Sequence, residues 1–363
     1  MALPGVPRIR VIQGPKTATS TSPQETDIVK VSIAGAIRNH PKHPLPLTQI
    51  YQEFLELACQ AEQLGFHRVW LSEHHLAEDE WNCAPMLVLA ALARQTCRIR
   101  LGTYVMLLSL HHPLKVAEEI ATLDILTEGR FDLAVGAGPM PVECQAFGIN
   151  RAEAFARCYE SLAVIQRFLT EPSVTHHGKY YHFDDVAMTT KPVQKPHPPI
   201  FTTPMAGPQS WERSAERGYN VASALHAHDW KHYPELLANH GHDRRKVTIA
   251  SGPLFVHVAD SREQAFDEAE EAMHWAIEFY VRRGMPFPLV PIGEFRKPEN
   301  AIAYGCPILA GTPAEVLEGL SRYRQEPLDE IALQFNHPGM EHRFAMRSLE
   351  RFAREVLPEV SRW

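Results

Sequence analysis

The 363-residue sequence has no run of about 18 apolar residues, the length a membrane-crossing helix needs, which excludes a spanning segment. Its six cysteines (Cys59, Cys83, Cys97, Cys144, Cys158, Cys306) form no C-x-x-C pair. In a chain of this size they read as reduced thiols and point to the cytoplasm. A basic block is missing too. Lys+Arg 36 stand against Asp+Glu 43, a formal net charge of -7, which disfavours a nucleic-acid partner. No G-x-S-x-G elbow, P-loop or H-E-x-x-H pair occurs, so serine hydrolases, P-loop enzymes and zincins lack their signatures. Hydrophobic residues at 45% and charged residues at 22% match globular usage and exclude a disordered or collagen-like chain.

The first 27 residues stand apart. The stretch from Thr17 to Pro23 is low in complexity and has no apolar face to bury, so residues 1–27 read as a mobile arm or a strap across a partner subunit. No apolar core of a secretory signal is present, and Arg8 and Arg10 are too sparse for a transit peptide.

From Val29 onward short apolar runs alternate with helical patterns. Strands are predicted at 29–37, 67–72, 99–108, 131–135, 200–203, 220–225, 247–258 and 330–335. Helices are predicted at 47–64, 85–96, 114–126, 153–169, 208–217, 230–240, 263–283 and 313–323, with a last one at 341–356. In the first helix Phe54, Leu57, Ala61 and Leu64 share a face, and Gly65 supplies the stop. Parallel neighbours need crossovers, so eight strand–helix units predict an α/β fold, a (β/α)8 TIM barrel with insertions, spanning 28–363 as one domain. A doubly wound open sheet has the same rhythm. The insertion at 176–198 reads as a hairpin or surface excursion. The Pro- and Gly-rich stretch at 284–312 has the length of a functional loop such as a lid. The helix around Met86–Ala93 is apolar on nearly every side, which favours a homo-oligomer, most simply a homodimer, packed through it.

On such a barrel the C-terminal strand ends carry the chemistry. The second ends in Ser72-Glu73-His74-His75 and the third in His111-His112, so two histidine pairs converge and can supply a general acid/base. Loop capping by hydrogen bonds is the competing role. Successive residues on an extended chain face opposite ways, so at most one of each pair reaches the mouth, and no metal site is expected. Gly136-Ala137-Gly138 follows the fourth strand without the third glycine of a dinucleotide fingerprint, because Pro141 stands there. The two glycines fit close approach of a flat ligand or a tight turn. Ala206, Gly207 and Ser210 enter a helix and could hold a phosphate, unless Ser210 simply caps it. Arg151 could reach a phosphate or lie in solvent.

Several phrases together resemble the bacterial-luciferase-like flavin-dependent monooxygenase family. They include Ala61-Glu62-Gln63-Leu64-Gly65-Phe66, Trp70-Leu71-Ser72-Glu73-His74-His75, Leu123-Asp124-Ile125-Leu126-Thr127-Glu128-Gly129-Arg130, Lys191-Pro192-Val193-Gln194-Lys195-Pro196 and Gly311-Thr312-Pro313-Ala314-Glu315-Val316. Their order runs from about Val29 to the C-terminus. The resemblance implies a luciferase-like barrel binding reduced FMN, or a deazaflavin, at its mouth, and the Glu73-His74-His75 phrase tilts the choice to FMN. It implies dioxygen as co-substrate, oxidation of a small organic substrate through a flavin (hydro)peroxide, and a separate flavin reductase. His74 takes the catalytic role, with His112 shaping the pocket. Ser72, Tyr104, Val105, Gly136 and Gly138 would face the cofactor, with a non-proline cis peptide near Tyr104–Val105. The family's phosphate-binding arginine near Ala137 is absent, leaving Arg151 or the Ala206, Gly207 and Ser210 group to replace it. A deazaflavin-dependent hydride-transfer enzyme and a non-catalytic flavin-binding subunit are the alternatives.

Overall fold

A computed structural model describes residues 29–138, 140–204, 207–223, 228–283, 291–297 and 308–363. The predicted arm at 1–27, Ala206 and most of the predicted lid lie outside the described residues. Eight parallel strands close on themselves. They are β1 (Lys30–Gly35), β2 (Arg68–Leu71), β3 (Arg100–Thr103), β5 (Phe131–Gly136), β8 (Ile200–Thr202), β9 (Asn220–Ser223), β10 (Ile249–Ser251) and β13 (Glu330–Gln334), which pairs back with β1. A two-residue β4 (Met106–Leu107) follows β3 and pairs with β5. The antiparallel hairpin β6 (Val174–His177) and β7 (His182–Val186) is the predicted excursion.

Helices α1 (Leu47–Gln63), α2 (Pro85–Ala93), α3 (Pro113–Leu126), a short α4 (Pro141–Ala146), α5 (Ala154–Thr170), α6 (Pro208–Glu216), α7 (Tyr233–Asn239), α8 (Arg262–Arg282), α9 (Pro313–Ser321) and α10 (His342–Glu355) surround the barrel. Gly65 ends α1 at φ +88°, a left-handed turn that costs a glycine little. Among the described residues no helix is long and apolar enough to cross a membrane.

Two expectations need correction. The single strand predicted at 247–258 is two: β10 stays in the barrel, and β11 (Leu254–Val258) turns outward to pair with the end of β13 and with β12 (Ile308–Gly311). Pro253 lies at the break and has no N–H to give the ladder. The four residues of β12 fall inside the stretch read as a loop, and all are buried. Secondly, α2 is apolar on nearly every side yet mostly covered within its own chain, which narrows the face left for a partner. Met86, Val88, Leu89, Leu92 and Ala93 are buried, and Leu87, 74% exposed, is its main uncovered apolar side chain.

The barrel interior is set by size. Ala34, Trp70, Ala134, Phe201, Ala222, Ala250 and Ala332 form one buried cluster, while the alternate positions Ile33, Val69, Leu71, Leu133, Ile200, Val221, Ile249 and Ile331 join the cluster that packs on the helices. One indole and one phenyl ring fill the space left by five alanines. Gly102, beside Trp70 in register, completes the fit: a Cβ there would stand 2.4 Å from the indole Cζ3.

Beneath this layer lies a charged floor. Arg68 donates to Asp132 Oδ2 at 2.8 Å and pairs with Glu330, Arg100 donates to both Asp132 oxygens at 2.6 and 2.7 Å, and the Trp70 indole N–H donates to Glu330 Oε1 at 2.8 Å. Both carboxylates are fully buried, and their several donors offset the desolvation.

Candidate functional site

The loop after β2 carries two histidine–carboxylate arrangements. The His74 ring lies against Trp81, Phe279 and Tyr280 at centroid separations of 4.5, 5.8 and 5.7 Å. Its Nδ1 is 3.0 Å from Glu143 Oε1, and its Nε2 is 3.5 Å from the Tyr280 hydroxyl. Glu143 is fully buried on α4, and the same Oε1 accepts the His75 backbone N–H at 2.8 Å. The other oxygen, Oε2, has no hydrogen-bond partner. Trp81 is fixed in turn, its indole N–H donating to Ser72 Oγ at 2.9 Å. Tyr280 and Phe279 come from the last turn of α8, which docks on this loop: Arg283 donates to the Leu76 carbonyl at 2.9 Å.

The second arrangement centres on Glu73, only 2% exposed. Its Oε1 stands 2.8 Å from His75 Nε2 and 2.6 Å from His111 Nε2, and its Oε2 accepts the Leu107 N–H at 2.9 Å. Burial alone would raise the carboxyl's pKa. The hydrogen bonds from His111 and His75 outweigh burial and hold it at about 2. For His111 burial favours the neutral ring, but the bond and charge of Glu73 prevail and raise its pKa.

Here the expected pairing changes. His111, not His112, turns toward the mouth. The 3-10 turn Leu108–Leu110 rotates the chain so that His111 meets Glu73, while exposed His112 stands edge-on to Tyr181 and Phe183 at 6.0 and 5.8 Å. His112 therefore packs on the hairpin rather than on the His74 group. Both members of the first pair find buried carboxylates, because the loop after β2 is irregular and not an extended strand.

The cofactor candidates distribute as follows. The Tyr104–Val105 peptide is cis. Tyr104 packs on Trp70 at 5.9 Å, and burial raises its hydroxyl pKa. A Cβ on Gly136 would come 2.7 Å from Val105 Cγ2, and one on Gly138, at φ +61°, 2.9 Å from Leu107 Cβ. These glycines admit the neighbouring chain after β3, a close approach within the protein itself. Gly136 and Ser210 line one pocket between the ends of β5 and β8, together with Phe155, Tyr159 and Thr203. The Ser210 hydroxyl donates to the Gly207 carbonyl at 2.6 Å and does not cap α6, whose N-cap Gly207 sits at φ 86° with no side-chain cap bond. Thr203 Oγ1 is buried there without a partner. Arg151 is exposed in the 3-10 turn before α5, while Arg213 lies over the Tyr159 ring at 5.1 Å.

Glu143, Tyr280, Glu73, Thr203 and Arg213 were missed by sequence reasoning. Glu143 lies 69 positions from its histidine and Tyr280 206, separations with no local pattern. Glu73 sat in the quoted phrase, and its place beside two histidines was the available signal.

Comparison with known proteins bears on this arrangement. The pattern of the family described as luciferase-like monooxygenase matches residues 31–330. A 4-hydroxyprotoasukamycin monooxygenase of Streptomyces nodosus subsp. asukaensis is 33% identical over 340 residues, 88% of this chain and 90% of that protein. The oxygenase component of a flavin-dependent trigonelline monooxygenase of Acinetobacter baylyi is 28% identical over 333 residues, 86% and 91% of the two chains. The crystal structure of the monooxygenase RslO1 from Streptomyces bottropensis superposes with TM-score 0.81 at 27% identity, covering 91% of this chain and 99% of that one. F420-dependent relatives also occur, among them a glucose-6-phosphate dehydrogenase of Amycolatopsis mediterranei, 32% identical over 150 residues, 39% of this chain and 45% of that one.

Proposed function

The chain belongs to the luciferase-like monooxygenase family, and from that premise we propose that it is an FMN-dependent monooxygenase oxidising a small organic substrate with dioxygen. A separate reductase supplies the reduced flavin, as the name of the Acinetobacter oxygenase component suggests by analogy. The observation that carries the catalytic reading is His74 held between buried Glu143 and the Tyr280 hydroxyl at a strand end.

The pocket between β5 and β8 fits the flavin's phosphate end. The α6 N-terminus beside it has no side-chain cap, so its positive dipole end faces the pocket, and the unpartnered Thr203 hydroxyl can donate. Arg213, over Tyr159, takes the place we assign to the missing family arginine. Ser72, Tyr104, Val105, Gly136, Gly138, Gly207 and Ser210 remain in the proposed binding set, while Arg151 and the hairpin-packed His112 leave the proposed site.

When bound, reduced FMN supplies the electrons that activate dioxygen. The chain's own contribution is proton handling and exclusion of water. With His74 donating Nδ1–H to Glu143, the Nε2 lone pair accepts from the Tyr280 hydroxyl and can take or return a proton at that atom. The Trp81, Phe279 and Tyr280 rings wall that nitrogen from bulk solvent.

Anaerobic titration with reduced FMN, then mixing with oxygenated buffer and candidate substrates, tests the reading. Tight binding and substrate oxidation that needs dioxygen support it. Preference for a reduced deazaflavin with no dioxygen requirement would establish the hydride-transfer alternative, which the F420-dependent relatives keep in view. Flavin binding without any turnover would make the chain a binding subunit. We also place the enzyme in the cytoplasm as a homodimer using the Leu87 face of α2, a state that sedimentation analysis reads directly.

A further inference from the structure

We propose that Glu73, His75 and His111 form a binding site for a divalent first-row transition-metal ion at the barrel mouth, distinct from the His74 group and independent of the flavin reading. Their ligand atoms all lie within 4.8 Å of one another. Two imidazoles and one carboxylate are a donor set that suits zinc or ferrous iron, and three protein ligands leave at least one coordination position for solvent.

The supports of the triad are those of a built site. Glu73 Oε2 is held by the Leu107 N–H, so the carboxylate presents Oε1 in one orientation. The His75 backbone is anchored on Glu143, and its ring packs on Phe147 at 4.7 Å. Glu73 is closed to solvent, while the His75 and His111 side chains are 13% and 25% exposed, so an ion has a path in.

Without an ion, both Nε2 atoms converge on Oε1 at 2.8 and 2.6 Å. Ligands about 2.1 Å from one ion stand roughly 3.0–3.4 Å apart, so each of these two contacts lengthens by about 0.5 Å, while the two Nε2 atoms, within 4.8 Å of one another, settle to the same spacing. A neutral ring then shifts its one proton from Nε2 to Nδ1 through solvent, and a doubly protonated ring releases its Nε2 proton to solvent, so in either case Nε2 presents a lone pair and Nδ1 carries the N–H. The carboxylate is already a net anion, and no electron moves.

The test uses full-length, metal-stripped protein without a histidine tag, dialysed against Zn2+ and separately Co2+. The expected result is one ion per chain by elemental analysis and a visible Co2+ spectrum of a nitrogen- and oxygen-ligated ion. Affinity should fall at least tenfold in His111→Ala and in His75→Ala and stay unchanged in His112→Ala. Absence of stoichiometric binding would overturn the proposal and leave the triad as a hydrogen-bonded clamp. So would binding that survives both His111→Ala and His75→Ala. Circular dichroism of these partly exposed histidine variants separates lost ligation from lost folding, which Glu73→Gln alone would not.

Discussion

Replacing Gly102 by alanine tests whether the barrel interior is fixed by one indole. The new Cβ would meet Trp70 Cζ3 at 2.4 Å and Cε3 at 2.6 Å, with the Asp132 carbonyl 3.1 Å away. Ordinary carbon contacts begin near 3.5 Å, so about 1 Å of movement is required. Backbone blocks one side, and the indole is pinned on the other: its N–H is bonded to Glu330, Arg68 lies 4.4 Å from its centroid, and Phe201 stands edge-on at 5.2 Å. Overpacking costs about 1–3 kcal/mol, and weakening a bond to a buried carboxylate adds roughly 1.5–3 kcal/mol. The expected loss is therefore about 3–5 kcal/mol, read as a lowered urea midpoint at unchanged slope. Trp70→Phe is destabilising alone because it leaves Glu330 short of a donor. In the Gly102→Ala background its cost should shrink by about 1–3 kcal/mol, since the smaller ring makes room. A Gly102→Ala protein within about 0.5 kcal/mol of the native one, or strict additivity of the pair, would refute the reasoning.

At the site, His74→Ala should lower turnover by about 100-fold or more while reduced-flavin affinity holds, and Glu143→Gln should lower it less, by about tenfold; equal flavin loss in both would show a merely structural role. Thr203→Val should weaken FMN about tenfold and leave riboflavin unchanged, which calorimetry with the two flavins distinguishes. Burial holds the His337 pKa down at about 3, so between that value and the unfolded one the unfolded chain binds a proton the native chain refuses. Stability thus falls on acidification, by about 2 kcal/mol between pH 6.5 and 5 from this residue, and His337→Gln should flatten the slope accordingly. Thr312 and Glu315 form a reciprocal capping box at the start of α9, and Thr312→Ala should cost about 1 kcal/mol in thermal or chemical unfolding.

The barrel was legible because burial imposes period. Strands buried on both faces read as short apolar runs, and the amphipathic helices between them left only parallel connection open. The misreading at 247–258 had a visible signal in Gly252-Pro253, which an unbroken apolar run outweighed. The four residues of β12 were too few to show any period. Charged residues at the strand starts carried a stronger clue: Arg100 and Asp132 each interrupt an apolar run, Arg68 and Glu330 open one, and all four meet in the barrel floor. For the site, strand ends told where chemistry gathers but not which way each side chain turns. His111 and His112 differ by one position, and the 3-10 turn before them decides which faces Glu73.

Both buried carboxylates act on the same short loop, and that has a mechanical consequence. Glu73 joins the His75 ring to the chain after β3 through Leu107 and to His111, while Glu143 joins the His74 ring and the His75 backbone to α4. Burying two carboxylates is costly, and the donors around them offset that cost only in this arrangement. The loop therefore has little freedom to sample other conformations, and His74 is held in orientation before any ligand arrives. Preorganisation of that kind is what proton transfer near a reactive cofactor requires, because a ring that must first reorient spends its time out of reach. His75 is tied at both ring and backbone, and those bonds fix the orientation of the neighbouring His74, the proton carrier proposed above.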